Sequence, residues 1–267
     1  MGASRDPRID EVHWYHTIDL GDGVRTPGEF DTDKALARLP FPASLSGKRC
    51  LDVGTRDGFW AYAMEARGAS EVVGIDVDDP LDLDNPWLPS DVRQRLVDAA
   101  HGTEAKGFHL AHELLDSKVQ RKTLTVYDLD PEVVGTFDFA YIGTILLHLR
   151  DPIGALMALR KVVTGQLLVN DSITPTGLFG TRSASARLQD FPAPFWWMPN
   201  AAGLARYVEA AGFRIVQGPV KYTLPIDPRK TPGQYRNRAS LTRREWLRNK
   251  VTKGVAHAWI LCEPNQG

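Results

Sequence analysis

What this chain most plainly lacks is an excess of charge of one sign. Its 32 Lys and Arg stand against 33 Asp and Glu, a formal net charge of −1. The protein as a whole therefore carries no electrostatic footprint of a nucleic-acid or membrane binder. The balance is uneven locally: acids crowd the N-terminal stretch and Asp76–Asp98, while Arg229–Lys253 is strongly basic. Cysteine is nearly absent. Cys50 and Cys262 both lie in apolar runs, which excludes a disulfide scaffold and predicts buried free thiols in a reducing compartment. Long hydrophobic runs are missing too, none approaching the ~18–20 residues that span a bilayer. No signal peptide is read in the polar start "MGASRDPRID", so a soluble cytoplasmic protein is expected. A hydrophobic content of 43% over 267 residues suffices for one large domain with appendages.

From Lys48 the pattern alternates. "RCLDVGT" reads as a buried strand, "FWAYAMEARGA" as a helix, and "EVVGIDV" as a strand. Residues 90–119 read as helical, "TLTVYDL" and "FDFAYIG" as strands, "DPIGALMALRKVV" as a helix and "GQLLVNDSI" as a strand. "PNAAGLARYVEAAG" is a helix with Asn200 as cap and Gly212 as stop. "FRIVQGP" and "HAWILCEP" close the series. Strands alternating with helices predict an α/β fold, a mostly parallel sheet with helices on both faces. Residues 1–47 are expected to form an N-terminal cap or lid and residues 48–267 the main domain. Residues 174–199 and 221–254 are expected as insertions on the substrate side.

Glycine is missing where a dinucleotide turn needs it. In "LDVGTRDG" the pattern G-x-G-x-x-G would require glycines at 54, 56 and 59, but 56 is Arg and 59 is Phe. Gly54 lets the chain leave the first strand tightly, and Gly58 lets the next helix begin near a ligand. A ligand without a pyrophosphate is favoured. Asp76, ending the second strand, suits two ribose hydroxyls; Asp128, ending the third, suits an adenine amino group. Ribose and adenine without phosphates point to S-adenosylmethionine. Arg56, Arg25 and Gly143 complete the expected cofactor set, with Arg56 placed near the cofactor carboxylate.

In this order, the motifs resemble a class I S-adenosylmethionine-dependent methyltransferase from Lys48 to Pro264, which implies a Rossmann-like seven-stranded sheet. Outside the core, "HTID...VRTPGEFD", "GTILLHLRDP", "PFWWMPNAAGLARYVEAAGF" and "RREWL" resemble the tRNA wobble-uridine carboxymethyltransferase family. The resemblance implies a carboxylated cofactor held by a Trp and a Lys before the first strand and a Tyr after the fourth. Val24, Glu29 and Leu147 stand at those positions here, and only an Arg near Arg243 or Arg244 survives. Glu29 in place of Lys would repel a carboxylate by roughly 4 kcal/mol at ~4 Å and an effective dielectric of ~20. Ordinary methyl transfer is what remains.

Such transfer is an in-line displacement helped by positioning and by exclusion of water, with a base only where the nucleophile holds its proton. His148, past the fourth strand, is a candidate base, though a histidine there also serves loop packing. Asp171, ending the fifth strand, is a second candidate for base or divalent-ion ligand, or a plain strand end. No cluster has metal spacing. Tyr15 and His16, in "HWYHTID", belong either to a plug or to a lid touching the acceptor. Trp196 and Trp197 suit stacking on a sugar face, with Arg187 and Asn200 orienting hydroxyls; a hydrophobic clamp is the alternative use of a tryptophan there. These features predict O-methylation of a small hydroxylated acceptor, a sugar of a glycan or secondary metabolite. A tRNA-modifying enzyme using the basic loop 229–253 is the second reading, with nucleic acid the less favoured partner. A cofactor-binding pseudoenzyme is the third. No membrane partner is expected, and a homodimer is compatible with the sequence.

Overall fold

Along strand β1 (Arg49–Val53), Leu51 and Val53 enter one apolar layer while Cys50 enters another. That period of two sorts the whole core. The computed structural model describes residues 6–78, 84, 89–91, 94, 105–174, 183–189, 195–226 and 254–265. The other described strands are β2 (Glu71–Asp76), β3 (Gln120–Thr123), β4 (Phe137–Gly143), β5 (Val163–Ser172), β6 (Ala186–Leu188), β7 (Trp197–Pro199), β8 (Phe213–Pro225) and β9 (Gly254–Pro264). Seven of them form one sheet in the order β3-β2-β1-β4-β5-β9-β8. β3 to β5 pair in parallel, while β9 runs antiparallel to both β5 and β8. β6 and β7 form a separate two-stranded sheet.

Among the described residues, the helices are α1 (Arg8–Glu11), α2 (Thr32–Leu36), α3 (Phe59–Glu65), α4 (Lys106–Leu114), α5 (Pro131–Val134), α6 (Pro152–Val162) and α7 (Ala201–Ala210). Residues of α6 and α7 pack with Leu51, Val53, Ala140 and Leu167 on one face of the sheet. On the other face, residues of α3 and α4 pack with Cys50, Phe139, Tyr141 and Leu168. Helix starts follow from short polar side chains. Asp151 accepts the Gly154 N–H at 2.8 Å ahead of Pro152, and Asn200 accepts the Gly203 N–H at 2.7 Å. Both thiols are free and buried, as expected.

Several expectations change. The third strand is Gln120–Thr123, and Val126–Asp128 forms a single 3₁₀ turn, because the parallel register with β2 ends at Asp76 opposite Thr123. Asp128 is therefore not at a strand end. Of the helix expected over 90–119, Ser90, Asp91, Gln94 and Lys106–Leu114 are helical, and 92–93 and 95–104 lie outside the described residues. Residues 221–225 belong to β8, so the second expected insertion begins later; 227–253 lie outside the described residues.

The N-terminal segment is built into the core. Ile9, Trp14, Ile18 and Phe30 are buried against the layer of α3 and α4. The Trp14 indole N–H donates to the Ile9 carbonyl at 2.8 Å, and the Thr26 hydroxyl to the His16 carbonyl at 2.7 Å. Truncating a buried Trp costs roughly 3–5 kcal/mol, so this segment is integral to the packing of that layer. Among the described residues, no helix is long and apolar enough to cross a membrane.

Candidate active site

A cavity of about 680 Å³ opens at the C-terminal ends of the parallel strands, where open α/β sheets bind ligands. The β1 and β2 ends supply Gly54, Arg56, Asp76 and Val77. Leu124–Tyr127 form one side, and Gly143–Ile145 with His148–Arg150 the other; Tyr15, His16, Trp60 and Asp84 complete the wall.

The first turn shows how "TRDG" works without the middle glycine. Gly54 has φ +74°, and a Cβ there would stand 2.2 Å from Ile145 Cδ1. The Gly54 and Thr55 N–H groups both donate to the Ile75 carbonyl. Arg56 occupies the left-handed region at φ +50°, a conformation that costs an ordinary residue roughly 1–2 kcal/mol. Its N–H is thereby aimed at Asp76 Oδ2, 2.7 Å away, while Val77 N–H donates to Oδ1 at 2.8 Å. Burial raises the Asp76 carboxyl, and these two donors oppose the shift. Next, Asp57 Oδ2 accepts the Tyr15 and His16 N–H groups at 2.6 and 2.9 Å, tying the N-terminal segment to the turn. Gly58, at φ +90°, is off the wall: it starts α3, where a Cβ would meet the Tyr62 ring at 2.5 Å. That close approach of the Tyr62 ring is what requires a glycine here.

His16 is 5% exposed and lies 3.9 Å from Asp57 Oδ2. Its Nδ1 has no hydrogen-bond partner among the described residues. Burial, helped by the Arg56 charge, pushes its pKa down to about 3 and keeps it neutral. The Arg56 guanidinium lies 5.9 Å from the centre of the Tyr15 ring, whose hydroxyl is raised by burial.

His148 is on the wall, half-buried, its ring 5.0 Å from that of Phe195. Asp171 is not. It is 2% exposed, and it accepts the Leu146 N–H at 2.7 Å and the Ser172 N–H at 2.6 Å. Burial pushes its carboxyl up to about 7 against these donors. The expected acceptor residues separate as well. Trp196 donates its indole N–H to the Asp84 carbonyl at 2.5 Å, and Trp197 to the Arg150 carbonyl at 3.0 Å, neither ring lining the cavity. Asn200 is spent on capping α7. Arg187 lies exposed on β6, with Gln189 Oε1 at 3.3 Å. Arg25 is off the wall and ion-paired with Asp33. Asp128 accepts the Thr125 hydroxyl at 3.0 Å, and Thr125, Val126 and Tyr127 line the cavity in its place.

Sequence reasoning missed Asp57, Asp84, Tyr127, Thr144 and Arg150. Asp84 is the knot of one wall: Oδ2 accepts the Tyr127 hydroxyl and the Arg150 N–H, both at 2.7 Å. Nothing in so acid-rich a stretch of sequence distinguishes it beforehand. Of the positions implied by resemblance, Glu29 pairs with His13 at 3.1 Å, and neither it, Val24 nor Leu147 is on the wall. The repulsion expected of Glu29 is thus not delivered by direct contact. Arg243, Arg244 and the basic loop lie outside the described residues. Among the described residues, no three His, Cys, Asp or Glu side chains gather for a metal ion.

A family profile described as "Methyltransferase domain" matches residues 30–218. The chain is 29% identical over 192 residues to the tRNA U34 carboxymethyltransferase of Pseudomonas aeruginosa (strain LESB58), covering 72% of this chain and 52% of that protein. It is 28% identical over 193 residues to the one of Azotobacter vinelandii, covering 72% and 53%. The chain thus spans about half the length of the curated relatives it matches. Among solved structures, the N-terminal domain of EvdMO1, determined in the presence of SAH and D-fucose, aligns with a TM-score of 0.52 at 16% identity, over 97% of this chain and 94% of that one. An S-adenosylmethionine-dependent methyltransferase from Mesorhizobium loti aligns at 0.51 and 14% identity, over 86% and 95%. These likenesses are of fold.

Proposed function

The chain belongs to the methyltransferase-domain family and is a class I S-adenosylmethionine-dependent enzyme; from that premise, we propose that it methylates a hydroxyl of a small acceptor, a sugar of a glycan or secondary metabolite. The residues present fit the cofactor. Asp76 is the observation that carries the reading: its carboxylate, fixed by two backbone N–H groups, faces a cavity floored by a left-handed glycine. We assign the ribose hydroxyls to Asp76, the adenine side to Leu124–Tyr127 and the methionyl side to Gly54, Tyr15, His16 and Gly143. The cofactor supplies a methyl group on a positively charged sulfur. The chain orients it and shuts out water. His148 is positioned to take the acceptor's proton. The neutral His16 Nδ1, buried and unpartnered, offers a lone pair or a hydrogen to the bound pair.

The acceptor reading draws on the wall's charges. Arg56 and Arg150 are balanced by Asp76 and Asp84, so the described wall shows no basic stripe for a phosphate backbone. The second reading, tRNA wobble-uridine modification, is favoured by the 29% identity to the Pseudomonas enzyme. Mass spectrometry of ligand co-purified with the chain, followed by methyl transfer to a panel of sugars and to tRNA at increasing salt, tests both. The ordinary cofactor with salt-insensitive transfer to a sugar supports the proposal. A carboxylated cofactor, or transfer to tRNA that collapses with salt, replaces it with the second reading.

A further inference from the structure

We propose that His257, which lies off the cavity wall, is a positioning residue: it holds Thr144 in a left-handed conformation and so sets the β4 edge of the cavity. The proposal rests on reading that cavity as the cofactor site. Thr144 lines the cavity at φ +57°, a region that β-branched residues rarely enter and that is retained where surrounding contacts over-determine it. Two such contacts are present. Its N–H donates to the Asn170 carbonyl at 2.8 Å, and its hydroxyl lies 3.3 Å from His257 Nε2.

The role of each nitrogen follows from its neighbours. His257 Nδ1 is 3.1 Å from the Val255 carbonyl, which can only accept, so Nδ1 carries the hydrogen. Nε2 is then an acceptor with a single lone pair in the ring plane, which the hydroxyls of Thr144, 3.3 Å away, and of Ser172, 3.2 Å away, share. His257 is 1% exposed, which favours this neutral form. Ile145 transmits the effect. Its side chain fills the space above Gly54, where a Cβ would be only 2.2 Å from it. Rotating the backbone at Thr144 would lift Ile145 off the first turn and change the cavity's shape. A histidine merely filling the space beside Tyr222, its ring 5.9 Å away, would do none of this.

Calorimetric titration of S-adenosylhomocysteine into the full chain tests it. Thr144→Val keeps the branched shape and removes the donor; it should weaken binding about tenfold, a loss of one buried hydrogen bond. Thr144→Ser should bind as the parent does. His257→Leu should match Thr144→Val, the double variant should be no weaker than either single one, and His257→Gln, with an amide oxygen near the Nε2 position, should recover most of the affinity. Parent-like affinity in Thr144→Val, or losses that add, would overturn the proposal; if His257→Leu does not fold, the Thr144 pair decides. A parent that binds no S-adenosylhomocysteine would refute the reading of the cavity instead. The strut is then judged by imidazole nitrogen-15 shifts: a protonated Nδ1 and an acceptor Nε2 that changes in Thr144→Val support it, and the opposite tautomer sinks it.

Discussion

Asp171 Oδ2 accepts the backbone N–H of Leu146 at 2.7 Å, two residues before His148. The carboxylate thus braces the loop that presents the histidine, and its second oxygen is held by the Ser172 N–H. Asp171→Asn should lower stability by roughly 1–3 kcal/mol, the cost of a disturbed buried hydrogen-bond group. The variant's pH–activity curve should keep its shape. Thermal melts with rate measurements decide this; loss of turnover by two or more orders of magnitude at unchanged stability would make Asp171 the base after all.

His148→Ala should lower kcat by ~10²–10⁴-fold with S-adenosylhomocysteine affinity nearly constant, as removal of a positioned base does. A histidine serving only to pack Phe195, whose ring lies 5.0 Å away, predicts instead a lower melting temperature with a modest loss of rate.

Buried groups give the fold opposing pH dependences. His16 and His257 have values of about 3 and about 4 in the folded chain against an ordinary 6.5. The unfolded chain alone takes up their protons as pH falls below 6.5, so each removes stability on acidification, by up to about 1.4 kcal/mol per pH unit. Asp52 and Asp171 act in reverse. Burial lifts both from 3.8 to about 7, so the stability they contribute is present below 3.8 and is lost as pH rises toward 7. Between those limits the two pairs oppose each other. Asp52→Asn removes one opposing group, so relative to the parent its melting temperature should fall further as pH drops from 6.5 toward 4; a profile parallel to the parent's would contradict the assignment.

Trp196→Phe removes the indole donor to the Asp84 carbonyl and should loosen one cavity wall by about 1 kcal/mol. The expected result is a severalfold higher KM for the cofactor with kcat unchanged. An unchanged KM paired with a higher KM for the acceptor would return Trp196 to the stacking role expected from the sequence.

The strands that could be read in advance are those buried on both faces. "EVVGID" and "FDFAYIG" are continuous apolar runs because helices cover the sheet on either side. β3 could not be read: "QRKT" is an edge strand with a half-exposed, polar pattern, and the apolar residues that follow it, Val126 and Leu129, bury into the core from a turn. The same split holds in the site. Asp76 is placed by its strand end alone, whereas the fates of Arg25, Asp128 and both tryptophans depend on partners distant in sequence, or on a turn that no periodicity announces. Arg56 looked like a defect in a glycine motif; its left-handed backbone is what turns its N–H onto Asp76.

The most direct test of the account is calorimetry of S-adenosylhomocysteine binding to the parent and to Asp76→Ala, with circular dichroism to check the fold. Losing two charge-assisted hydrogen bonds, each worth ~1.5–3 kcal/mol, should reduce affinity by two or more orders of magnitude in a variant that remains folded. Equal affinity in the two proteins would contradict the placement of the cofactor in this cavity.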